Sequence, residues 1–366
     1  DYDSDGCQDS SEDTDDDNDG YEDSVDTHPT NEMFHHTLTM DDGWIVGGRY
    51  ENVSMSHGSS VDYMISETQS TSFRSSASYN GYRITVDGQL VYMDGTTDGE
   101  LVSVNWDTND SIIAISPYQY QGAQCVILES GALRCWGSNS HGQLGIGTTG
   151  GNYNPSNSVN VSFPVPFAPK HISTGYDMSC AVLENGEAYC WGYNEGSRHL
   201  GIGFSCDWQS WANGCNGNYA VPSPSLVELP TGSSAESIYV GTTYESPTCV
   251  VLKDGNAFCW GENGYGQLGN GNTNSVYADY DYEQVYLPLG ISGEIQTIAG
   301  SRYSTCALWD NGSVYCWGQN NRGQLGDGTI CEGGDYENNC NGNTAKPIIY
   351  DPVIFPTGEL AIALWS

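Results

Sequence analysis

Four segments of the chain share one pattern, and that pattern decides most of what the chain can fold into. They are CVILESGALRCWGSNSHGQLGIG (125–147), CAVLENGEAYCWGYNEGSRHLGIG (180–203), CVVLKDGNAFCWGENGYGQLGNG (249–271) and CALWDNGSVYCWGQNNRGQLGDG (306–328). Repeats of this size build arrays or propellers, because one unit cannot bury its apolar face alone. Each core reads as strand, turn, strand. The turns are Glu129-Ser130-Gly131, Glu184-Asn185-Gly186, Lys253-Asp254-Gly255 and Asp310-Asn311-Gly312. A three-residue hairpin loop places its last residue in the left-handed region, where glycine carries no steric penalty. The loop also sets the register: around Glu129–Gly131, residues whose numbers sum to 260 face each other, so Cys125 faces Cys135. The same rule opposes Cys180 and Cys190, Cys249 and Cys259, and Cys306 and Cys316. Opposed cross-strand cysteines are close enough to bridge, and four agreeing pairs predict four disulfides.

The segments resemble the regulator of chromosome condensation repeat, with its turn glycine, Trp-Gly pair and Gly-Gln-Leu-Gly element. The Trp-Gly pairs are Trp136-Gly137, Trp191-Gly192, Trp260-Gly261 and Trp317-Gly318. Gly-Gln-Leu-Gly stands at 142–145, 266–269 and 323–326, and the second repeat departs with Arg198-His199-Leu200-Gly201. The resemblance covers 112–328 and implies a β-propeller of four-stranded blades, usually seven. The paired cysteines are similar to those of secreted prokaryotic members. Weaker copies lie upstream: YRITVDGQLVYMDG (82–95) and HHTLTMDDGWIVGG (35–48). Turn glycines at 43, 88, 131, 186, 255 and 312 predict six blades; a seventh requires a divergent blade within 49–80. The C-terminal ELAIALWS (359–366) has the form of a blade's first strand without its hairpin, and 34–48 is a hairpin without that strand. Pairing of the two would close the ring and remove its exposed edges. The expected fold is therefore all-β, a single propeller over 33–366 behind an arm at 1–32. Composition agrees: 46 glycines suit many turns, and no apolar run approaches the ~18 residues of a membrane span.

Two insertions share the form C-x8-C-N-G-N, at 206–218 and 331–343. Disulfides Cys206–Cys215 and Cys331–Cys340 would staple two protruding loops; neither loop has the histidines or spacing of a zinc site. Trp208 and Trp211 on the first loop are candidates for binding a protein or glycan, unless they pack on a neighbouring blade. Cys7 is left over from the pairs, and would bridge another chain or a segment upstream of Asp1. The chain begins without a Met or an apolar leader and is expected to be processed or partial. This cysteine usage implies an oxidising, extracellular or cell-surface location. Asn52, Asn109, Asn160 and Asn311 open glycosylation sequons.

Ten Lys and Arg against 47 Asp and Glu leave a net charge of -37, which excludes nucleic acid and anionic lipid as partners. The first 32 residues hold eleven Asp, three Glu and no Lys or Arg. Two loops of the D-x-D-x-D-G form follow each other there. One places Asp1, Asp3, Asp5, Cys7 (backbone carbonyl), Asp9 and Glu12 around Gly6. The other places Asp15, Asp17, Asp19, Tyr21 (backbone carbonyl), Asp23 and Asp26 around Gly20. Calcium takes six to eight hard oxygens around such a turn, so calcium is the expected cofactor. With no flanking helices, the loops are not an EF-hand pair; they are similar to thrombospondin type 3 repeats.

No nucleophile elbow, HExxH, phosphate loop or metal triad is present, and the seven histidines are scattered, so no enzymatic activity is expected. The nucleotide-exchange and chromatin role of the family's nuclear member does not transfer to so acidic a surface. Two functions remain. The first is a non-catalytic extracellular structural protein that self-associates through its calcium arm into a homo-oligomer or fibre. The alternative is a cell-surface binding module that takes a protein or glycan on propeller loops.

Overall fold

Each cysteine-bounded segment folds as an antiparallel hairpin in the predicted register, with Cys125 opposite Cys135, Cys180 opposite Cys190, Cys249 opposite Cys259 and Cys306 opposite Cys316. The turn glycines Gly131, Gly186, Gly255 and Gly312 have φ between 76° and 83°. A computed structural model describes residues 82–84, 90–93, 101–103, 110–116, 122–195, 200–209, 211–241, 246–275, 283–285, 293–332, 340, 345–346 and 352–353. The expected calcium arm with Cys7, the 34–48 hairpin and the 359–366 strand lie outside them, as do Asn52 and Asn109.

The strands run in chain order as sequential antiparallel meanders. The first sheet holds β1 (Tyr82–Ile84), β2 (Leu90–Met93) and β3 (Leu101–Ser103). The next holds β4 (Ile112–Ile115), β5 (Ala123–Leu128) and β6 (Leu133–Ser138). Its outer edge is shared by two short strands, β7 (Asn152–Tyr153) and β8 (Val159–Val161), both paired to β6. Then come β9 (Pro169–Thr174), β10 (Met178–Leu183), β11 (Ala188–Tyr193) and β12 (Ala220–Leu226). A fourth sheet contains β13 (Ala235–Val240), β14 (Thr248–Leu252), β15 (Ala257–Trp260) and β16 (Glu283–Gln284). The fifth contains β17 (Ile295–Gly300), β18 (Ser304–Trp309), β19 (Val314–Gln319) and β20 (Ala345–Lys346). The described residues include a single 3-10 turn, Pro155–Asn157, and no α-helix.

The sheets pack on one another, so the second strand of a meander is covered on both faces. Every residue of β5, β10 and β14 is buried, which accounts for their largely apolar sequences, broken only by the buried Gln124, Ser179 and Thr248. The tryptophan of each Trp-Gly pair wedges into the seam with the preceding sheet. Trp191 and Trp317 are fully buried, and their indole N–H groups donate to the main-chain oxygens of Gln143 and Gln267, both at 2.9 Å. Ser179 and Thr305 hydroxyls donate to the same two oxygens at 2.9 and 2.8 Å. The last glycine of Gly-Gln-Leu-Gly sits under the next indole. A Cβ on Gly145, Gly201 or Gly269 would stand 2.9, 2.8 or 2.7 Å from Trp191, Trp260 or Trp317. The two motif elements are thus the two sides of one inter-sheet joint.

Six disulfides link the expected pairs: Cys125–Cys135, Cys180–Cys190, Cys206–Cys215, Cys249–Cys259, Cys306–Cys316 and Cys331–Cys340. The four hairpin bridges span Cα separations of 4.0–4.1 Å, and the two loop staples span 5.7 and 5.6 Å.

Candidate binding surface

One asparagine organises the loop after each Trp-Gly strand. Asn139, Asn263 and Asn320 are fully buried, and each Oδ1 accepts from the backbone N–H of the leucine five residues on, at 3.0–3.2 Å. Their amide nitrogens donate onward to loop carbonyls, Thr148 O at 2.9 Å in the case of Asn139. Asn194 holds this position in the second repeat, and its amide nitrogen donates to Phe204 O at 2.7 Å. Its leucine, however, is six residues on at Leu200, one more than in the other repeats. Asn194 Oδ1 is buried and accepts no hydrogen bond. An unsatisfied buried carbonyl costs about 1–3 kcal/mol, so the second repeat has lost local fit where its sequence departs from the pattern.

The backbone beyond this turn is also unusual. Among the described residues only three non-glycine residues have left-handed φ: Gln209 (72°), Asn213 (54°) and Tyr219 (55°). All three belong to the loop stapled by Cys206–Cys215 or follow it directly. Asn accepts this conformation at modest cost; for tyrosine it is an outlier of the kind that collects at functional sites. Tyr219 is held there by Asn194 N–H, which donates to Tyr219 O at 2.7 Å, and the loop is tied to an earlier repeat by Asn216 Nδ2, which donates to Thr149 Oγ1 at 2.9 Å.

The strained backbone sets the Tyr219 ring between Tyr193 and Trp208. Ring centroids run from His141 to Tyr193 at 4.9 Å, Tyr193 to Tyr219 at 6.2 Å and Tyr219 to Trp208 at 5.7 Å. Trp208 and Trp211 remain 60% and 76% exposed. Trp211 lies over the backbone of Gly217, where a Cβ would come within 2.6 Å of its ring. Both expected tryptophans are therefore held on an outer surface, and the loop docks on its neighbour through Asn216 instead.

Carboxylates border the row. Asp177, buried in the β9–β10 turn, accepts from Gln143 Nε2 at 3.0 Å, and its Oδ1 lies 3.3 Å from His141 Nδ1. The Tyr193 hydroxyl donates to the exposed Glu195 carboxylate. Burial, then that carboxylate, push the Tyr193 phenol well above its ordinary value, so it remains a neutral donor. Ser140 Oγ also lies 3.3 Å from His141 Nδ1. With both oxygens on one ring nitrogen, Ser140, His141 and Asp177 do not form a nucleophile relay, which needs them on opposite nitrogens. Among the described residues, no three His, Cys, Asp or Glu side chains gather as metal ligands. None of the described helices is long and apolar enough to cross a membrane.

The same joint recurs further along, where Tyr265 and Tyr303 meet at 4.7 Å and Arg302 lies 4.9 Å from the Tyr303 ring. Sequence reading identified Trp208 and Trp211 but not His141, Asp177, Tyr193, Glu195 or Tyr219. The one signal available was the irregular second repeat itself, with its extra residue before Leu200.

The regulator of chromosome condensation (RCC1) repeat model matches residues 130–182, 254–308 and 311–344, and a second RCC1 repeat model matches 170–196 and 295–324. These segments are RCC1 repeats. Among curated proteins, the chain is 26% identical over 276 residues to the mitochondrial RCC1 domain-containing protein RUG3 of Arabidopsis thaliana, covering 72% of this chain and 58% of that protein. It is 28% identical over 198 residues to the ultraviolet-B receptor UVR8 of the same plant, covering 54% and 39%. It is 27% identical over 195 residues to the probable E3 ubiquitin-protein ligase HERC4 of Homo sapiens, covering 53% and 16%. The chain spans less than two thirds of each. Among solved structures, yeast RCC1 (Prp20) bound to Kap60 superposes with a TM-score of 0.57 at 13% identity, covering 75% of this chain and 62% of that one. Human WBSCR16 gives 0.55 at 17% identity, covering 76% and 65%. The all-β architecture of sequential antiparallel sheets is that of the RCC1 propellers.

Proposed function

We propose that this chain is an extracellular binding module that takes a protein ligand on the surface formed by the stapled 206–218 loop and the second repeat. The observation that carries this reading is the exposure of Trp208 and Trp211 on a loop pinned by a disulfide and backed by a row of rings. Exposed aromatics on a rigid base lose little entropy on binding and are typical energetic centres of interfaces. Yeast Prp20, similar in fold, is described as binding Gsp1p and histones, which agrees with a protein ligand. Six disulfides and the acidic surface agree with an oxidising, extracellular setting. The test is a pair of printed arrays, one of proteins and one of glycans, probed with wild type and with Trp208→Ala/Trp211→Ala. Protein signals lost in the double variant support the reading. Identical profiles for the two proteins, or signals confined to glycans, overturn it.

The proposal includes closure of a six-bladed propeller by 359–366 and 34–48, and a calcium-stiffened arm at 1–26. Both rest on sequence: complementary half-repeats at the termini, and two D-x-D-x-D-G loops in register. Self-association through the arm and Cys7 is the second reading. The binding reading is preferred because its side chains have a defined arrangement.

A further inference from the structure

Six Asn-Gly pairs lie within the described residues, at Asn185, Asn213, Asn216, Asn263, Asn270 and Asn311. We propose that Asn213 is a site of spontaneous covalent modification. It is the one of the six that the fold leaves free to deamidate, and the product remodels the stapled loop that carries Trp208 and Trp211. The proposal goes beyond the binding reading and does not depend on it.

The backbone nitrogen after an asparagine is a nucleophile towards that side chain, and glycine favours the attack because it has no Cβ to hinder the approach. Here the Gly214 nitrogen bonds to Asn213 Cγ and loses its proton, while the Cγ–Nδ2 bond breaks and ammonia leaves. The resulting succinimide takes up one water at either carbonyl. Opening at one carbonyl gives aspartate. Opening at the other gives isoaspartate, which has one extra carbon in the main chain. Ammonia out and water in balance the step, and nothing is oxidised or reduced.

Glycine follows all six asparagines, so the fold sets their order. The side chain and the next backbone N–H must turn towards each other, and each hydrogen bond that either makes must first break. Asn263 and Asn270 are buried and bonded to each other, Asn263 Nδ2 donating to Asn270 Oδ1 at 3.1 Å. In the hairpin turns, Asn185 and Asn311 Oδ1 accept from the N–H of Glu187 and Ser313 at 3.1 and 2.9 Å. Their glycines are also engaged, Gly186 and Gly312 N–H donating to Leu183 O and Trp309 O at 2.8 and 3.0 Å. Asn216 is held at both ends, with Nδ2 donating to Thr149 Oγ1 and Oδ1 accepting from Asn218 N–H. Asn213 and Gly214 are exposed, and neither the Asn213 side chain nor the Gly214 N–H makes a hydrogen bond among the described residues. Their φ values of 54° and 87°, with Cys215 N–H donating to Ala212 O at 2.9 Å, are those of a type I′ turn. Asp-Gly suits that turn as Asn-Gly does, so aspartate preserves it. The extra main-chain carbon of isoaspartate does not fit, and it falls directly before the Cys206–Cys215 staple.

The experiment incubates the full folded chain at mildly alkaline pH and follows the six sites by mass spectrometry of its proteolytic peptides. The same chain, reduced and held in urea, is the reference. The expected result is comparable rates at all six sites in urea. In the folded chain Asn213 is expected to react at least about tenfold faster than Asn185, Asn216 and Asn311, the factor set by the hydrogen bonds those sites keep. Another of the six leading in the folded chain, equal rates at all six, or no reaction at Asn213 overturns the inference. Hydrogen exchange then compares Asn213→Asp with the purified isoaspartyl form. The variant is expected to keep the Cys215 amide protected, and the isoaspartyl form to lose that protection by about tenfold or more. Equal protection in the two overturns the effect on the loop. Array signals play no part in these readouts, so this inference and the protein-binding reading fail separately.

Discussion

At the scale of single residues, the half-buried His171 is a titrating group that responds to acid. His171 on β9 lies against β13, where its Nδ1 accepts from Ile238 N–H at 3.5 Å, beside the Lys170–Glu236 ion pair. Burial, then the Lys170 charge, lower His171 from 6.5 to about 4, with Glu236 opposing. The folded state thus binds the proton less readily than the unfolded chain. The resulting stability is complete above about pH 6.5 and is lost as pH falls from there towards 4. Asp327 responds in the same sense. Burial alone would raise its carboxyl, but hydrogen bonds from Lys346 and Thr329 outweigh that and hold it below its ordinary value. Histidine ring titration by NMR is expected to show His171 still neutral at pH 5. His171→Gln is expected to flatten the pH dependence of the urea midpoint between 6.5 and 4; an unchanged slope would refute the assignment. Residues such as these are illegible in the sequence, because nothing in it places His171 beside residue 238.

At the scale of elements, the hairpins were almost fully legible. A glycine closing a three-residue turn leaves one register, and that register brings the cysteines opposite each other. The loops were not legible, because their conformation depends on which distant group receives each polar atom: Asn216 meets Thr149, and Gln143 meets Asp177. The Cys206–Cys215 staple closes a short loop and contributes about 2–3 kcal/mol by loop-closure entropy. The loop that it closes contains the left-handed Gln209 and Asn213. Cys206→Ser/Cys215→Ser is expected to weaken binding of the ligand at least tenfold while lowering Tm by only a few degrees, as measured by calorimetry and thermal melts. A large drop in Tm with unaltered affinity would show that the staple serves the core and not the surface.

At the scale of the whole molecule, the chain-order succession of antiparallel sheets among the described residues followed from turn glycines spaced along the chain, while the joints between sheets followed from no local rule. The expected acidic arm carries the charge that must be neutralised before its loops can order. Millimolar calcium is expected to raise the protection of 1–26 in hydrogen exchange, and EGTA to reverse it; identical exchange in both would refute the calcium assignment.

The Trp-to-Gln joint also has a direction. In both cases the donor comes from the later repeat and the acceptor from the earlier one, Trp191 to Gln143 and Trp317 to Gln267. A chain leaving the ribosome would therefore present each carbonyl before its indole exists. Every new repeat would find its docking place already made, and the growing end would always carry one uncovered sheet face awaiting the next.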